Sequence, residues 1–346
     1  MSSAGEERRA RVLAVVEELG TVRLADLAER LGMPLVTLRR DVSALAEAGR
    51  LHRTHGSVSA LSAMETPTGP SVGLVVPTVS QYFDEVIAGA RAAAQDAGVH
   101  LTLGIASYLP GTDRVQVERL LASGVKGLLL TPNWMPSDHI EDRAWINDLP
   151  VPVVLVEREP PTGSPAARLD SVCSNHHYGV LLALDHLASL GHRRIALAAR
   201  VDTWTALKVH SGYAEGCRSL GLPEEPTIDI DPAAGMESVA ERIGQQVRAG
   251  VEAVVVHNDQ DAIQLLPLLR AAGVSVPEDL AMVSYDDVFA ALGAPPLTAV
   301  APPKHAVGAA AVELIVRRLA KRSGLPVHHL DLLPDLKIRR SCGADR

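Results

Sequence analysis

Two adjacent arginines lie near the start of the chain in a segment that has helical periodicity. Its apolar residues fall on one stripe that must pack inward, namely Leu35, Leu38, Val42 and Leu45. The outward surface then carries Val36, Thr37, Arg39, Arg40 and Ser43. Such a surface can hydrogen-bond to base edges and phosphates from the major groove of duplex DNA. We therefore predict that this segment is a DNA-recognition helix.

A second set of candidate residues follows the short apolar runs in the rest of the chain. In parallel sheets, ligands bind beyond the carboxyl ends of the strands, so these residues are expected to meet in one site. Carboxylates, amides, a guanidinium and aromatic rings suit a polyhydroxylated small molecule, since each hydroxyl needs a fixed donor or acceptor and sugar C–H faces stack on rings. The candidates are Ser80, Gln81, Tyr82, Phe83, Asn133, Trp134, Glu157, Arg158, Asn258, Asp259, Asp286 and Asp287.

The recognition segment belongs to a predicted small domain at residues 1–58. Helices are predicted over about 7–19, over 24–31 and from Pro34 to the residue before Gly49. The alternation from Arg50 to Val58 predicts a two-stranded ribbon that turns near His55 and carries Arg53 over the DNA backbone. This ribbon would be a wing.

Residues 59–70 (SALSAMETPTGP) are small and polar and contain two prolines, so we predict an exposed linker. From residue 71 onward, β-rich runs such as VGLVVP, GLLLTP and AVVVH alternate with helical segments. This rhythm predicts an α/β domain at 71–340 in which two parallel-sheet units follow one another.

Composition and charge narrow the class of protein. The chain has 346 residues and a formal charge of −8, yet residues 1–60 are close to neutral, so the acidity belongs to the larger domain. No apolar run is long enough to span a membrane, and the N-terminus lacks the apolar segment of a secretory peptide. Three separated cysteines form neither a disulfide framework nor a zinc spacing. We therefore expect a cytoplasmic protein that carries no metal or cofactor and does not associate with membranes.

The first sixty residues closely resemble the winged helix-turn-helix of the deoxyribose-operon repressor (DeoR) family. The family's Thr-x-Arg-Arg-Asp is matched at Thr37, Arg39, Arg40 and Asp41. The wing's Arg-x-His-Gly is matched at residues 53–56, where Arg53 and His55 lie. The resemblance covers about residues 6–59 and implies that these groups bind DNA. Pro34, where the family usually has a capping Ser, and Ser57, in place of a second Gly, depart from the pattern.

Residues 71–340 are similar to the effector domain of the lactose-repressor (LacI/GalR) family. The segments SVGLVVPTVSQYF, GVKGLLLTP, LASLGHRRIAL, HNDQDA and GVSVPEDLAMVSYDD occur in family order. The resemblance implies a two-lobed, periplasmic-binding-protein-like fold of type I. It implies a first lobe of about 71–172 and 298–323 and a second lobe of about 173–297 and 324–340, with the chain crossing near residues 173, 297 and 324.

The same resemblance carries the family's effector site over to particular positions, namely Ser80, Tyr82, Phe83, Arg158, Asn258, Asp259 and Asp286. Asn133 and Trp134 join them by position. The family usually has an arginine where this chain has Val209, and Lys208 beside it is included as a candidate effector ligand.

Other functions compete for some of these residues. Paired arginines could simply keep a small helical domain soluble, or a winged helix could serve protein contacts. The pairs His176–His177 and His328–His329 lack a third ligand at regular spacing and suit structural roles better than metal binding. Each tryptophan could fill a core as readily as stack on a ligand.

The sequence leads to a transcription regulator, most simply a repressor, whose affinity for a DNA operator is set by a sugar-like effector bound between two lobes of a homodimer subunit. The alternative is a solute-binding receptor of a transport system that has no DNA-binding role. A sugar-acting enzyme is a third possibility, but no nucleophile elbow, phosphate loop or dinucleotide glycine pattern supports it, so we expect no enzymatic activity.

Overall fold

The computed structural model describes residues 4–19, 21–47, 50–54, 57–60, 69–79, 82–109, 111–134, 141–160, 163–231, 234–320 and 324–344. The chain forms two compact units, Met1–Gly69 and Pro70–Arg346, here called the head and the effector domain. Within the described ranges, no helix is both long and apolar enough to cross a membrane.

The head contains three helices and a small antiparallel sheet. Its elements are α1 (Ala4–Leu19), β1 (Thr21–Arg23), α2 (Leu24–Leu31), α3 (Leu35–Glu47), β2 (Leu51–Thr54) and β3 (Ser57–Ala60). The apolar stripe of α3 packs inward as expected, with Leu38 and Val42 completely buried. The segment 21–23 forms β1 and pairs with β3, so the predicted two-stranded ribbon is part of a three-stranded sheet.

The first lobe of the effector domain is a six-stranded parallel sheet with helices on both faces. Its elements are β4 (Ser71–Val76), α4 (Tyr82–Asp96), β5 (His100–Ile105), α5 (Thr112–Ala122), β6 (Gly127–Leu130), β7 (Val153–Val156), β8 (Asp170–Ser174), α10 (Lys304–Ala320) and β14 (His329–Leu332). The strand order is β14-β8-β7-β6-β4-β5. Every residue of β6 and β7 is buried, as expected of strands covered on both faces.

The second lobe repeats this plan with one antiparallel edge strand. Its elements are α6 (His176–Ser189), β9 (Ile195–Arg200), α7 (Trp204–Leu220), β10 (Ile228–Ile230), α8 (Met236–Arg248), β11 (Ala253–His257), α9 (Asp259–Ala271), β12 (Ala281–Tyr285), β13 (Thr298–Ala301) and β15 (Asp335–Lys337). The order is β10-β9-β11-β12-β13-β15. The predicted fold class, a two-lobed periplasmic-binding-protein-like domain preceded by a small helix-turn-helix domain, is confirmed.

The chain crosses between the lobes later than we predicted. The range 298–323 was expected in the first lobe, but its first strand, β13, pairs with β12 of the second lobe. The range 324–340 was expected in the second lobe, but β14 pairs with β8 of the first. Each of these strands completes its hydrogen-bonded ladder before the chain leaves the sheet, so the crossings fall after Ser174, after Ala301 and between Leu332 and Asp335.

Candidate functional site

The outward face of α3 presents the residues that the sequence singled out for DNA. Val36 is 79% exposed, Arg39 and Arg40 are exposed, and Thr37 and Ser43 are half-buried. Two guanidinium groups, two hydroxyl groups and an apolar side chain therefore lie along one face of the helix. This combination can contact phosphates, base edges and thymine methyl groups.

The wing is described in part. Arg53 lies in β2, where its backbone pairs with Val58 of β3. His55, the other predicted wing contact, lies outside the described residues.

An ion pair whose carboxylate is buried joins α3 to α1. Asp41 of α3 is 3% exposed, and its two carboxylate oxygens accept hydrogen bonds from Nε and NH2 of Arg8 at 2.5 and 3.0 Å. These hydrogen bonds lower the pKa of Asp41 below its ordinary value and raise that of Arg8. Asp41 therefore orients α3 through the buried face of this helix, while its neighbour Arg40 faces outward.

A cavity of about 530 Å³ lies between the two lobes of the effector domain. The first lobe contributes five of the predicted effector residues, namely Tyr82, Phe83, Asn133, Trp134 and Arg158. The second lobe contributes three more, Asn258, Asp259 and Asp286. The carboxyl ends of both parallel sheets thus converge on one cleft, as the topology requires.

Glu157 organises the floor of the cleft on the side of the first lobe. Its Oε1 accepts hydrogen bonds from the hydroxyl groups of Tyr82 and Ser174, both at 2.8 Å, and its Oε2 accepts one from the Ser174 amide at 3.0 Å. The side chain is buried, so this carboxylate is satisfied by the protein itself. Tyr82, predicted as an effector ligand, therefore lines the cavity with its hydroxyl already engaged.

Arg158 is a buried cation beside this floor. It is 7% exposed, and its Nε and NH1 donate to the carbonyl oxygens of Pro132 and Glu157 at 3.0 and 2.7 Å. Burial is the main influence on its pKa and lowers it. Because these two partners are carbonyl oxygens, further N–H groups of Arg158 can donate to a ligand in the cleft.

Two predicted ligands on the second lobe also hold the protein together. The Asn258 side chain caps α9 by accepting a hydrogen bond from the Asp261 amide at 3.2 Å. Asp259 is 2% exposed, and its Oδ2 accepts three backbone hydrogen bonds from residues 288, 289 and 290 at 2.6, 2.6 and 3.0 Å. Asp259 thus fixes the loop that follows Asp286, although it also lines the cleft.

Asp286 reaches the cleft from the end of β12 and titrates near neutrality. Burial, together with the neighbouring Asp259, raises its pKa to about 7. Lys304 at the start of α10 donates to the backbone carbonyl of Asp286 at 2.5 Å and opposes this shift in pKa. An Asp286 side chain of this kind can accept or donate a hydrogen bond at physiological pH.

Several cleft residues were missed by the sequence argument. Arg200, at the end of β9, lies on the cleft and forms a bidentate pair with Asp202 at 2.9 and 2.8 Å. Val209, at the position where an arginine was expected from the resemblance, is completely buried. His257 ends β11, and burial lowers its pKa to about 3, so its imidazole is neutral. The signal that could have found Arg200 and His257 is their place at a strand's carboxyl end.

Two side-chain contacts join the lobes beside the cavity. The rings of Trp134 and Trp204 meet edge to face with centroids 6.0 Å apart. Lys208 forms an ion pair with Glu159 of the first lobe. Lys208, predicted as an effector ligand, lines a neighbouring cavity of about 210 Å³ rather than the main cleft, because its side chain is directed toward Glu159. Ser80 and Gln81, two further candidates, lie outside the described residues.

Left-handed backbone conformations concentrate at this cleft. Five described residues other than glycine have a positive φ, namely Ser107, Tyr108, Glu157, Asp286 and Asp287. Three of them line the cavity, and the other two are their immediate neighbours. Such strain persists where the surrounding structure enforces it, which is common at ligand sites. Among the described residues, no group of three His, Cys, Asp or Glu side chains is placed to hold a metal ion.

Comparison with known proteins supports a separate identity for each domain. Residues 8–63 match the model of the DeoR-like helix-turn-helix domain, and residues 184–342 match that of the periplasmic binding protein-like domain. The second match includes the second lobe from within α6 onward.

Two curated relatives match most of the length of the chain. The chain is 25% identical over 330 residues to the arabinose metabolism transcriptional repressor of Geobacillus stearothermophilus, which covers 91% of this chain and 89% of the relative. It is 28% identical over 308 residues to the ribose operon repressor of Escherichia coli (strain K12), which covers 86% of each.

Among solved structures, the complex of the transcriptional regulator CelR with cellobiose has a TM-score of 0.67 at 25% identity, covering 88% of this chain and 90% of that one. With the exposed basic face of α3 and the interlobe cleft, these similarities identify the chain as a DNA-binding transcriptional regulator with a helix-turn-helix head and a periplasmic-binding-protein-like effector domain.

Proposed function

We propose that the chain is a cytoplasmic repressor that joins a DeoR-type winged head to an effector domain of the LacI/GalR type and responds to an uncharged sugar. The observation that carries the effector part is the 530 Å³ cleft, to which both lobes contribute polar and aromatic groups. A cavity of this size and composition accommodates a small polar ligand.

The charges around the cleft favour an uncharged ligand. Four carboxylates line it, against two guanidinium groups. Arg200 is already neutralised by Asp202, and Arg158 is the remaining lining cation. A phosphate or carboxylate on the effector would meet this excess of negative charge, whereas hydroxyl groups can donate to Asp286 and accept from Arg158. The names of the relatives, which refer to arabinose, ribose and cellobiose, agree with a neutral sugar.

The DNA-binding residues in this proposal are those on α3 and the wing. Val36, Thr37, Arg39, Arg40 and Ser43 enter the major groove, while Arg53 and His55 contact the backbone. The exposure of Val36, Arg39 and Arg40 supports this assignment, since an exposed strip is needed to reach base edges.

Effector binding would be coupled to DNA binding through the side-chain contacts between the two lobes. A ligand in the cleft changes the balance between open and closed lobes, because it touches both walls beside the Trp134–Trp204 and Glu159–Lys208 contacts. In a homodimer, this change would alter the spacing of the two heads relative to two operator half-sites. The alternative function, a transport receptor, would not require the exposed Arg39 and Arg40 on α3.

A titration of labelled DNA tests the whole proposal. The full chain is added to a fluorescent duplex from its own upstream region at moderate salt with excess competitor DNA, and anisotropy is recorded without sugar and with L-arabinose, D-ribose or cellobiose. We expect binding above the competitor level and a change in affinity of about tenfold with one of these sugars. No preference over competitor DNA would refute operator binding, and no response to any of the sugars would refute the effector class.

A further inference from the structure

We infer that Tyr108 is the stacking face of the effector site and that it selects cyclic sugars over open-chain polyols. This inference rests on the proposed function, because it assigns a particular residue to a sugar in the interlobe cleft. Tyr108 lies in the loop after β5 of the first lobe and lines the cavity.

The exposure of Tyr108 sets it apart from the other aromatic residues of the cleft. It is 54% exposed, whereas Phe83 and Trp134 are 5% and 4% exposed. Tyr82 has its hydroxyl bonded to Glu157 and its ring edge to face with Phe83. The broad face of an exposed ring at the opening can be covered by a ligand without first breaking protein packing.

The hydroxyl of Tyr108 lies among the charged groups of the cleft. Burial is the main cause that raises the pKa of the hydroxyl, although the residue as a whole is more than half exposed. The hydroxyl also lies within electrostatic range of Arg158 on the same lobe and of Asp286 and Arg200 on the opposite lobe. The phenol is therefore neutral at physiological pH, and Tyr108 as a whole keeps more than half of its surface exposed.

The backbone at Tyr108 and at the residue before it adopts a strained conformation. Ser107 and Tyr108 have φ angles of 56° and 52°, in the left-handed region that non-glycine residues rarely occupy. Two consecutive residues of this kind at an exposed aromatic are difficult to explain by packing alone. A ligand-binding role accounts for both the strained turn and the exposed ring.

The chemistry of stacking defines the preferred ligand. An aromatic face gains by covering the C–H face of a furanose or pyranose ring, while the hydroxyl groups at the sugar's edge reach polar groups such as Arg158 and Asp286. An acyclic polyol offers the same hydroxyl groups without a rigid apolar face. Tyr108 should therefore contribute to the affinity for ring-forming sugars.

The test compares substitutions that keep or remove the ring. Affinities of the full chain for L-arabinose, D-ribose and cellobiose are measured by titration calorimetry, with arabinitol and ribitol as open-chain counterparts. We expect Tyr108→Ala to lower the affinity for the bound sugar by about tenfold. The affinity of Tyr108→Phe should stay within about twofold of that of the unchanged protein. Tyr178→Ala, which removes a 37% exposed tyrosine from α6, is the matched control and should bind normally.

The outcomes separate this inference from the function on which it rests. If the unchanged protein binds a sugar and Tyr108→Ala binds it equally well, the stacking role is refuted and the sugar-responsive function stands. If polyols bind as tightly as their parent sugars, the selectivity is refuted. If the unchanged protein binds none of the three sugars, the proposed effector class fails and this inference fails with it. Equal melting temperatures of the variants exclude misfolding as the cause of weaker binding.

Discussion

Arg8 and Asp41 form a bidentate ion pair between the first and third helices of the head, with Nε and Oδ2 at 2.5 Å. The carboxylate is buried and the guanidinium is 39% exposed at its side chain. Asp41 is buried, whereas its neighbour Arg40 is exposed. The pair therefore joins α1 to the buried face of α3.

Loss of this pair should destabilise the head without changing the side chains on the exposed face of α3. In Asp41→Asn, Arg8 keeps a polar neighbour of the same size but loses its charged partner, so hydrogen exchange in α1 and α3 should accelerate and DNA affinity should fall. Mass-spectrometric hydrogen exchange measures this directly, because the three tryptophans all lie in the effector domain. Asp26→Asn, at an exposed position of α2, is the control.

The ion pair also gives the head a defined response to acid. The pKa of Asp41 is lowered in the folded state, so its contribution to stability is present at neutral pH and is lost as the pH falls through that lowered pKa. Exchange in Asp41→Asn should therefore differ from the unchanged protein at neutral pH and approach it in acid. A difference that persists unchanged at low pH would contradict the electrostatic role of the pair.

Arg40 should carry part of the operator affinity. If it contacts a base, Arg40→Ala costs about 1–3 kcal/mol of specific binding, since a good side chain–base pair is worth that much. Anisotropy with operator and with a scrambled duplex separates specific from general loss. Arg91→Ala, which removes an exposed arginine from α4 of the effector domain, should leave both affinities unchanged. Unchanged operator affinity in Arg40→Ala would place the recognition surface elsewhere.

Asp286 should make the stability of the effector domain depend on pH near neutrality. Its pKa is raised to about 7, so the folded state holds a proton that the unfolded state releases at lower pH. Stability is then lost as the pH rises from about 4 to about 7 and is constant above that range. Asp286→Asn removes this contribution, so melting temperatures of the two proteins should diverge across that range. Parallel melting curves against pH would refute the shifted pKa.

Local patterns were sufficient to locate the helices of the head and one helix cap in the effector domain. The apolar stripe that includes Leu38 and Val42 predicted both the helix and its buried face, and both residues are fully buried. Asn258 follows an apolar run and precedes a helical one, a position where its capping role is readable from the sequence. Periodicity and capping act over a few residues, which is why a single sequence reveals them.

Relationships across long stretches of chain were not accessible in this way. Arg8 and Asp41 are 33 residues apart, and no local pattern pairs them. Tyr108 enters the cleft through a left-handed turn made by two residues that are not glycine, so the usual sequence signal for that conformation is missing. The crossing after Ala301 depends on which sheet completes its ladder with β13, and this is decided by tertiary pairing.

The close packing of α4 against α10 provides a stability prediction for the first lobe. A Cβ on Gly308 would lie 1.9 Å from the Val86 carbonyl oxygen and 2.8 Å from the Ala90 amide nitrogen. Both neighbours are backbone atoms, so the helices would have to separate to accept a methyl group. Gly89, on the facing helix, is equally close to the His305 carbonyl. The two glycines thus allow α10 to rest on α4 as it returns from the second lobe.

Gly308→Ala should therefore destabilise the effector domain by about 1–3 kcal/mol, the usual cost of overpacking a core. Urea denaturation followed by tryptophan fluorescence measures it, because the tryptophans lie in this domain. Gly244→Ala is the matched control, since a Cβ there would meet only the flexible end of Arg248 at 3.5 Å. That variant should gain about 0.5–1 kcal/mol, as alanine is favoured over glycine inside a helix. If Gly308→Ala is as stable as Gly244→Ala, α4 and α10 can separate without loss of stability. Their close approach would then not be needed for the stability of the first lobe.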